Sequence, residues 1–262
     1  VAGALLALLL AAPPATWTAV GPGVEYRAFV VEPSPAQGDG LAHVVRIDAG
    51  AAKLAFGLAS ENGGTLRTAK EWCDDRGFSV VINAGMYGTD YSSNVGYLRH
   101  GEHLNNRAWS KKYLSALGFG PTEKGAAPAA MVDLDAPGVK AKALPYASVV
   151  QNLRLIKAPG VGVWRPNGEA WSEALVAQDK EGRVLFIFVR TPFEMAELTT
   201  RLLALPLGLV RAMHVEGGPE ASLSIHSKAL TLDLGGGRRS GFFGSDASKQ
   251  WRIPNVLGVR AP

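Results

Sequence analysis

A single cysteine, Cys73, is all that this 262-residue chain contains. No disulfide can therefore form within it, and its stability must come from burying a core. Cys73 lies beside Trp72 in a stretch of helical spacing, the setting of a small buried hydrophobe rather than of a nucleophile. Charge of one sign is also scarce: 27 basic residues are interspersed with 23 acidic ones for a net charge of +4. Without a basic stripe interleaved with aromatics there is no footprint for nucleic acid. The longest apolar run, residues 2–12 (AGALLALLLAA), is too short to cross a bilayer comfortably. Familiar catalytic signatures are missing as well: there is no GxSxG elbow, no HExxH, no Walker A loop and no cysteine pair for zinc.

What is present is an ordinary globular composition, 47% hydrophobic and 19% charged, enough to bury a sizeable core. The apolar run at 2–12 has the length of a secretory h-region and is followed by Pro13, Pro14 and small residues. Residues 1–19 are therefore expected to be an export signal, cleaved or kept as an anchor, with a buried N-terminal helix as the alternative. Residues 20–262 are expected to form one domain, located in the bacterial periplasm or cell envelope.

Strand-like runs at 24–31 (VEYRAFVV) and 42–47 (AHVVRI) flank a turn-rich loop. Residues 65–76 carry Leu66, Ala69, Trp72 and Cys73 at helical spacing and end at Gly77. The apolar run FSVVI at 78–82 reads as a strand buried on both faces. Beyond it, the polar stretch to Tyr113 reads as a functional loop. A weak helix is expected at 146–153. Residues 174–178 (ALVAQ), the turn DKEG and 183–189 (RVLFIFV) predict a hairpin, and Thr191, Pro192 and Glu194 predict a capping box opening a helix that stops near Pro206. The strand after it, at 209–216, would complete a βαβ unit if the two strands pair in parallel. There His214 and Glu216, two apart, are expected to share a face. The fold class is α+β: a single domain with a mixed β-sheet flanked by a few helices, its site at strand ends and loops.

Two strand ends have similar chemistry. Residues 210–223 (VRAMHVEGGPEASL) break at Gly217 and Gly218 just after Glu216, and FSVVI runs straight into Asn83, Ala84, Gly85, Met86, Tyr87 and Gly88. Glycine turns let backbone approach closely and present the preceding polar side chain; read as turns only, they carry no chemistry. Glu216, Glu220, Glu173, Asp90 and Asp246 could supply acid and base groups, with Asn83, Asn94, Gln151 and Asn152 as binders. His100 and His103 lie in a glycine-flanked loop, a poor setting for a metal. The run at 235–239 (GGGRR) could cradle a phosphate or be a solvated hairpin turn.

Together INAGMYG and VEGGPEASL, over roughly residues 78–259, resemble the phosphodiester glycosidase family, whose animal member is the lysosomal uncovering enzyme. Gly96, Tyr97, Gly101 and Gln151 match further family positions. Asn152 and Leu153 stand where the family commonly has Gly-Pro, Ser172 and Glu173 where it often has Arg-Thr, and Glu216 where the uncovering enzyme has Asp. The resemblance implies hydrolysis of a sugar-1-phosphodiester, with Glu216 as base or nucleophile and Asn83 beside it. The implied binding set is Gly85, Tyr87, Asn94, Gln151, His214, Gly217, Gly218 and Ser222, the amides of Gly85 and Gly217 holding phosphate or sugar oxygens. The partner is a carbohydrate phosphodiester or envelope glycan. No cofactor is required, although calcium or magnesium could assist through Asp or Asn oxygens. A glycan-binding module without chemistry and a phosphodiesterase cleaving P–O are the competing readings.

Overall fold

The computed structural model describes residues 16–139, 144–239 and 246–260. Residues 1–15 of the expected export signal therefore lie outside the described residues. The first half of the chain runs β1 (Thr18–Gly21), β2 (Val24–Val30), β3 (Leu41–Ile47), β4 (Leu54–Leu58), α1 (Ala69–Arg76), β5 (Phe78–Asn83), β6 (Leu98–His100), β7 (His103–Asn106), β8 (Ser115–Pro121) and β9 (Ala129–Asp133). The second runs β10 (Tyr146–Ala158), β11 (Val161–Gly162), β12 (Trp171–Asp179), β13 (Val184–Phe193), α2 (Met195–Leu203), β14 (Leu209–Gly217), β15 (Ser222–His226), β16 (Thr231–Gly235) and β17 (Asn255–Arg260).

These strands form a 12-stranded sheet with the central order β3-β13-β12-β14-β10 and a five-stranded sheet ordered β16-β15-β5-β17-β4. Between them lies the main core, where Val45, Val176, Phe186 and Met213 of the large sheet meet Phe56, Val80, Ile82, Leu223 and Leu257 of the small one. The outer face of the large sheet packs Leu175, Ala177 and Ile187 against Met195, Leu198 and Leu202 of α2. The outer face of the small sheet packs Val81 and Val256 against Ala69, Trp72 and Cys73 of α1. The result is a helix, two sheets and a helix in layers, built as apolar faces of strands and helices require.

The ladders among the described residues are antiparallel throughout, so the sheet expected to be mixed is not. β13 and β14 do run in the same direction, but β12 lies between them and pairs with each. The connection through α2 is thus a crossover over one strand rather than a paired βαβ. α1 starts where Thr68 caps it: the Thr68 side chain accepts from the Glu71 backbone N–H, the Glu71 carboxylate accepts from the Thr68 N–H, and Gly77 closes the helix at φ 65°. The capping box expected at Thr191 does not form. Thr191, Pro192 and Phe193 continue β13, the N-cap is Glu194, and the Thr191 hydroxyl instead accepts from the Gly40 N–H at 2.8 Å. The weak helix expected at 146–153 is part of the 13-residue strand β10, where pairing to β8 and β14 overrides local propensity.

Candidate active site

Both sequence motifs are places where the chain steps from one sheet to the other, at the same end of the sandwich. The Gly217–Gly218 turn carries the chain from β14 in the large sheet to β15 in the small one, and residues 84–97 carry it back from β5 to β6. Asn83 ties the two crossings together: its amide Nδ2 donates to the Glu220 carbonyl at 2.9 Å and its Oδ1 accepts from the Ser222 N–H at 2.8 Å. Asn83 and Ser222 are therefore fully buried positioning residues, not groups presented to a ligand.

Glu216 lies at the mouth between the sheets. A register shift in β14 pairs His214 with Leu175 and Glu216 with Ala174, leaving Val215 as the extra residue of a β-bulge. Leu175 faces α2 on the outer side, whereas Ala174 faces the core between the sheets. Paired residues share a face, so the bulge sends His214 outward and Glu216 inward, and the shared face expected from their spacing is corrected. His214 is buried against Glu173, Nδ1 to Oε1 at 2.6 Å. The other Glu173 oxygen accepts from Trp171 Nε1 at 3.0 Å, and Trp164 packs 5.8 Å from the imidazole. Burial raises Glu173; burial pulls His214 down, but the carboxylate beside it outweighs that and the net shift is upward. The pair holds a proton between Nδ1 and Oε1 and braces the strand from behind.

The Glu216 carboxyl is pushed up to about 7 by burial, against the opposing charge of His214 and the Gly217 N–H, with Glu220 and Glu173 adding to the rise. Its Oε1 accepts from that Gly217 N–H at 3.0 Å, so the Gly217 amide expected to hold substrate is turned to the Glu216 carboxylate. Tyr87 and Tyr113 line the same mouth. Burial raises both phenols, and the Glu216 charge raises them further. Both remain neutral hydroxyls that can donate a hydrogen bond and offer a ring face. Tyr91, exposed, lies 5.8 Å from the Tyr87 ring.

The glycines are fixed by their surroundings. A Cβ on Gly217 would collide with the Trp171 ring, and one on Gly85 would lie 2.5 Å from both Asn94 Oδ1 and Asn152 Oδ1. Among the described residues those two buried oxygens have no hydrogen-bond partner, while their amide nitrogens donate to the Gly96 and Ala84 carbonyls at 2.9 Å each. Gly218 adopts φ 75°, a left-handed conformation that favours glycine. Gln151 is buried and saturated: it accepts from Tyr97 and Ser110 N–H groups and donates to the Ser110 and Tyr113 carbonyls. Gln151 thus holds the loop that delivers Tyr113 rather than touching a ligand.

Of the expected residues, Glu216, Tyr87, Gly85, Gly217 and Gly218 surround the mouth, Asn83, Ser222 and Gln151 build it, Asn94 faces Gly85, and His214 stands behind it. Tyr113 was not among the expected site residues; its only sequence signal is its position at the end of the polar loop. Among the described residues no three His, Cys, Asp or Glu side chains gather to hold a metal. His100 and His103 face each other across a hairpin, bonded to Glu61 and to Ser60. A groove lined by Val20, Ser79, His226 and Lys228 lies at the far ends of β5 and β15, away from Glu216.

The family model for phosphodiester glycosidase matches residues 76–260. No curated protein matches the sequence. Among solved structures, the fold is similar to the catalytic domain of zebrafish N-acetylglucosamine-1-phosphodiester alpha-N-acetylglucosaminidase, auto-inhibited by its pro-peptide, with TM-score 0.61 and 14% identity over 92% of this chain and 85% of that one. It is also similar to a hypothetical protein from Synechocystis, with TM-score 0.56 and 13% identity over 90% of this chain and 62% of that one. At these identities the likeness bears on fold alone.

Proposed function

The chain belongs to the phosphodiester glycosidase family, and we propose that its cleft hydrolyses a sugar-1-phosphodiester at the glycosidic C–O bond. The observation that carries this reading is a buried carboxyl, Glu216, raised to about 7 at a mouth lined by neutral tyrosines. A base works best when its pKa lies near the working pH. In this reaction water attacks the anomeric carbon, Glu216 takes the water proton, and the C–O bond breaks with its electrons leaving on the phosphate monoester. Phosphate is a good leaving group, so the demand falls on the oxocarbenium-like centre and on activating water. Tyr87 and Tyr113 supply hydroxyl donors and ring faces for the sugar, and Asn83, Ser222 and Gln151 hold the frame.

On this reading no metal takes part, so a chelator leaves the rate unchanged. The apolar segment at 2–12 supports a site of action in the periplasm or cell envelope, on a carbohydrate phosphodiester of that compartment.

Glu216→Gln removes the base and should lower kcat by about 10²- to 10⁴-fold with the fold intact, as read by circular dichroism. Because the ionised form is the base, kcat/KM should rise with pH through about 7 and then level off. Hydrolysis in oxygen-18 water decides the bond: label in the released sugar supports the glycosidase, and label in the phosphate means P–O cleavage and overturns it. Binding of a sugar-1-phosphodiester without product would make the cleft a glycan-binding module.

A further inference from the structure

The tip of the 84–97 crossing holds a strained residue. Among the described residues Tyr91 is the only one other than glycine with a positive φ, 53°, a left-handed conformation that the Cβ of an L-residue disfavours. Glycine or asparagine would adopt this turn with less strain. The ring gains little from packing in return: Tyr91 is 59% exposed, and its ring contact among the described residues is with Tyr87, 5.8 Å away at an interplanar angle of 44°. The turn is nevertheless held from several sides. Asp90 accepts from the Ser92 and Ser93 N–H groups at 3.1 and 3.0 Å, the Tyr91 N–H donates to the Gly88 carbonyl at 3.0 Å, and the Gly88 N–H donates to the Ser93 carbonyl at 2.8 Å. The Ser92 carbonyl accepts in turn from Asn105 of β7 in the large sheet, at 3.1 Å, and from Asn255 of β17 in the small one, at 3.0 Å. Backbone strain persists where the surrounding structure over-determines it, and here both sheets contribute.

The tip thus sets an aromatic face in solvent at a fixed distance from Tyr87, which lines the mouth. A preset, uncovered ring beside a sugar-binding mouth suits the apolar C–H face of a pyranose. Rings 5.8 Å apart fit two sugars joined directly, because a phosphodiester bridge between sugars would set them further apart. We propose that Tyr91 is the platform of a second sugar subsite, so that the ligand is an oligosaccharide phosphodiester whose anomeric sugar lies on Tyr87 and carries a further pyranose on Tyr91. This rests on the reading of the mouth as sugar-binding, and it is tested by binding so that it can fail apart from the hydrolysis. Tyr97 and Trp109 are no rival platform, since they stack on each other at 4.3 Å and 9° and each covers the other's face. The rival reading is that the Tyr91 ring only shields Tyr87.

The test is calorimetric titration of the full chain, in a Glu216→Gln background that keeps the ligand whole. The probes are the methyl diesters of glucose, maltose and cellobiose 1-phosphates and of N-acetylglucosamine and chitobiose 1-phosphates, together with the phenyl diester of glucose 1-phosphate. At least one disaccharide diester should bind about three- to tenfold more tightly than the diester of its monosaccharide. That gain should survive Tyr91→Phe, which keeps the ring, and be lost in Tyr91→Gly, which removes the ring while suiting the left-handed turn and so keeps the fold. No gain for any disaccharide, a gain undiminished in Tyr91→Gly, equal weakening of mono- and disaccharide diesters as a mere shield of Tyr87 would give, or a Tyr91-dependent gain for the phenyl diester alone would each overturn the assignment. If the Tyr91-dependent gain is found and the Glu216-containing protein releases no sugar, the hydrolytic reading fails and the second subsite stands. If sugar is released from a monosaccharide diester and no disaccharide gains, the reverse holds.

Discussion

Glu216 is held in a place that suits chemistry and strains stability. In an unfolded chain its carboxyl ionises near 4.5, in the folded protein near 7. Between those values the native state binds a proton that the unfolded state has lost, so its contribution to stability is largest below 4.5, falls as pH rises to about 7 and is flat beyond. Over 2.5 units this amounts to about 3 kcal/mol at most. Glu216→Gln, neutral at every pH, should therefore be more stable than the natural protein at pH 8, and the difference should vanish near pH 4.5. Urea titrations at the two values check this, and equal midpoints at pH 8 would contradict a buried, raised carboxyl. A variant that loses turnover while gaining stability is the pattern expected of a functional group placed against its own solvation.

At the scale of elements, β14 and its turn decide the site. Gly217 lies against the Trp171 ring, so Gly217→Ala should cost about 1–3 kcal/mol from overpacking, and much less where Trp171 is already Ala. Denaturant midpoints of the four proteins in that cycle measure the coupling. What the residues alone revealed follows from the same elements. FSVVI and the run before Glu216 were readable as strands ending in glycine turns because composition and punctuation are local. That both turns cross between sheets was not readable, since sheet membership depends on partners far along the chain. Nor was the bulge at Val215: alternation predicts one face for His214 and Glu216, and a single extra residue reverses the outcome. Thr191 failed as a cap for a related reason, its hydroxyl being taken by Gly40, 151 residues away in sequence. Asn83 and Gln151 have the polarity of ligand-binding residues, yet among the described residues their hydrogen bonds go to backbone groups and, for Asn83, to the Ser222 hydroxyl as well.

Across the whole molecule, the matched family segment begins at residue 76, but the fold does not. β3 covers the edge of β13, and β4 covers the edge of β17, which itself lies inside the small sheet between β5 and β4. A chain starting at Arg76 would expose both edges and the apolar faces of Phe186, Phe188 and Leu257. Such a chain should not give a cooperative melt, and one stopped after Gln250, which lacks β17, should not fold at all; circular dichroism and proteolysis check both. Site and scaffold are thus not separable by sequence position, because the strands that close the sandwich come from the two ends of the chain.

The Val215 bulge also sets how relatives of this chain should be read. The direction of the acidic side chain depends on a count, one residue more on β14 than on the strand it pairs with. A relative that keeps a glutamate before two glycines but lacks the inserted residue would point that glutamate away from the mouth despite a perfect motif. In judging which relatives present an acid at the mouth, the spacing between His214 and the turn is a more telling character than the identity of the acid.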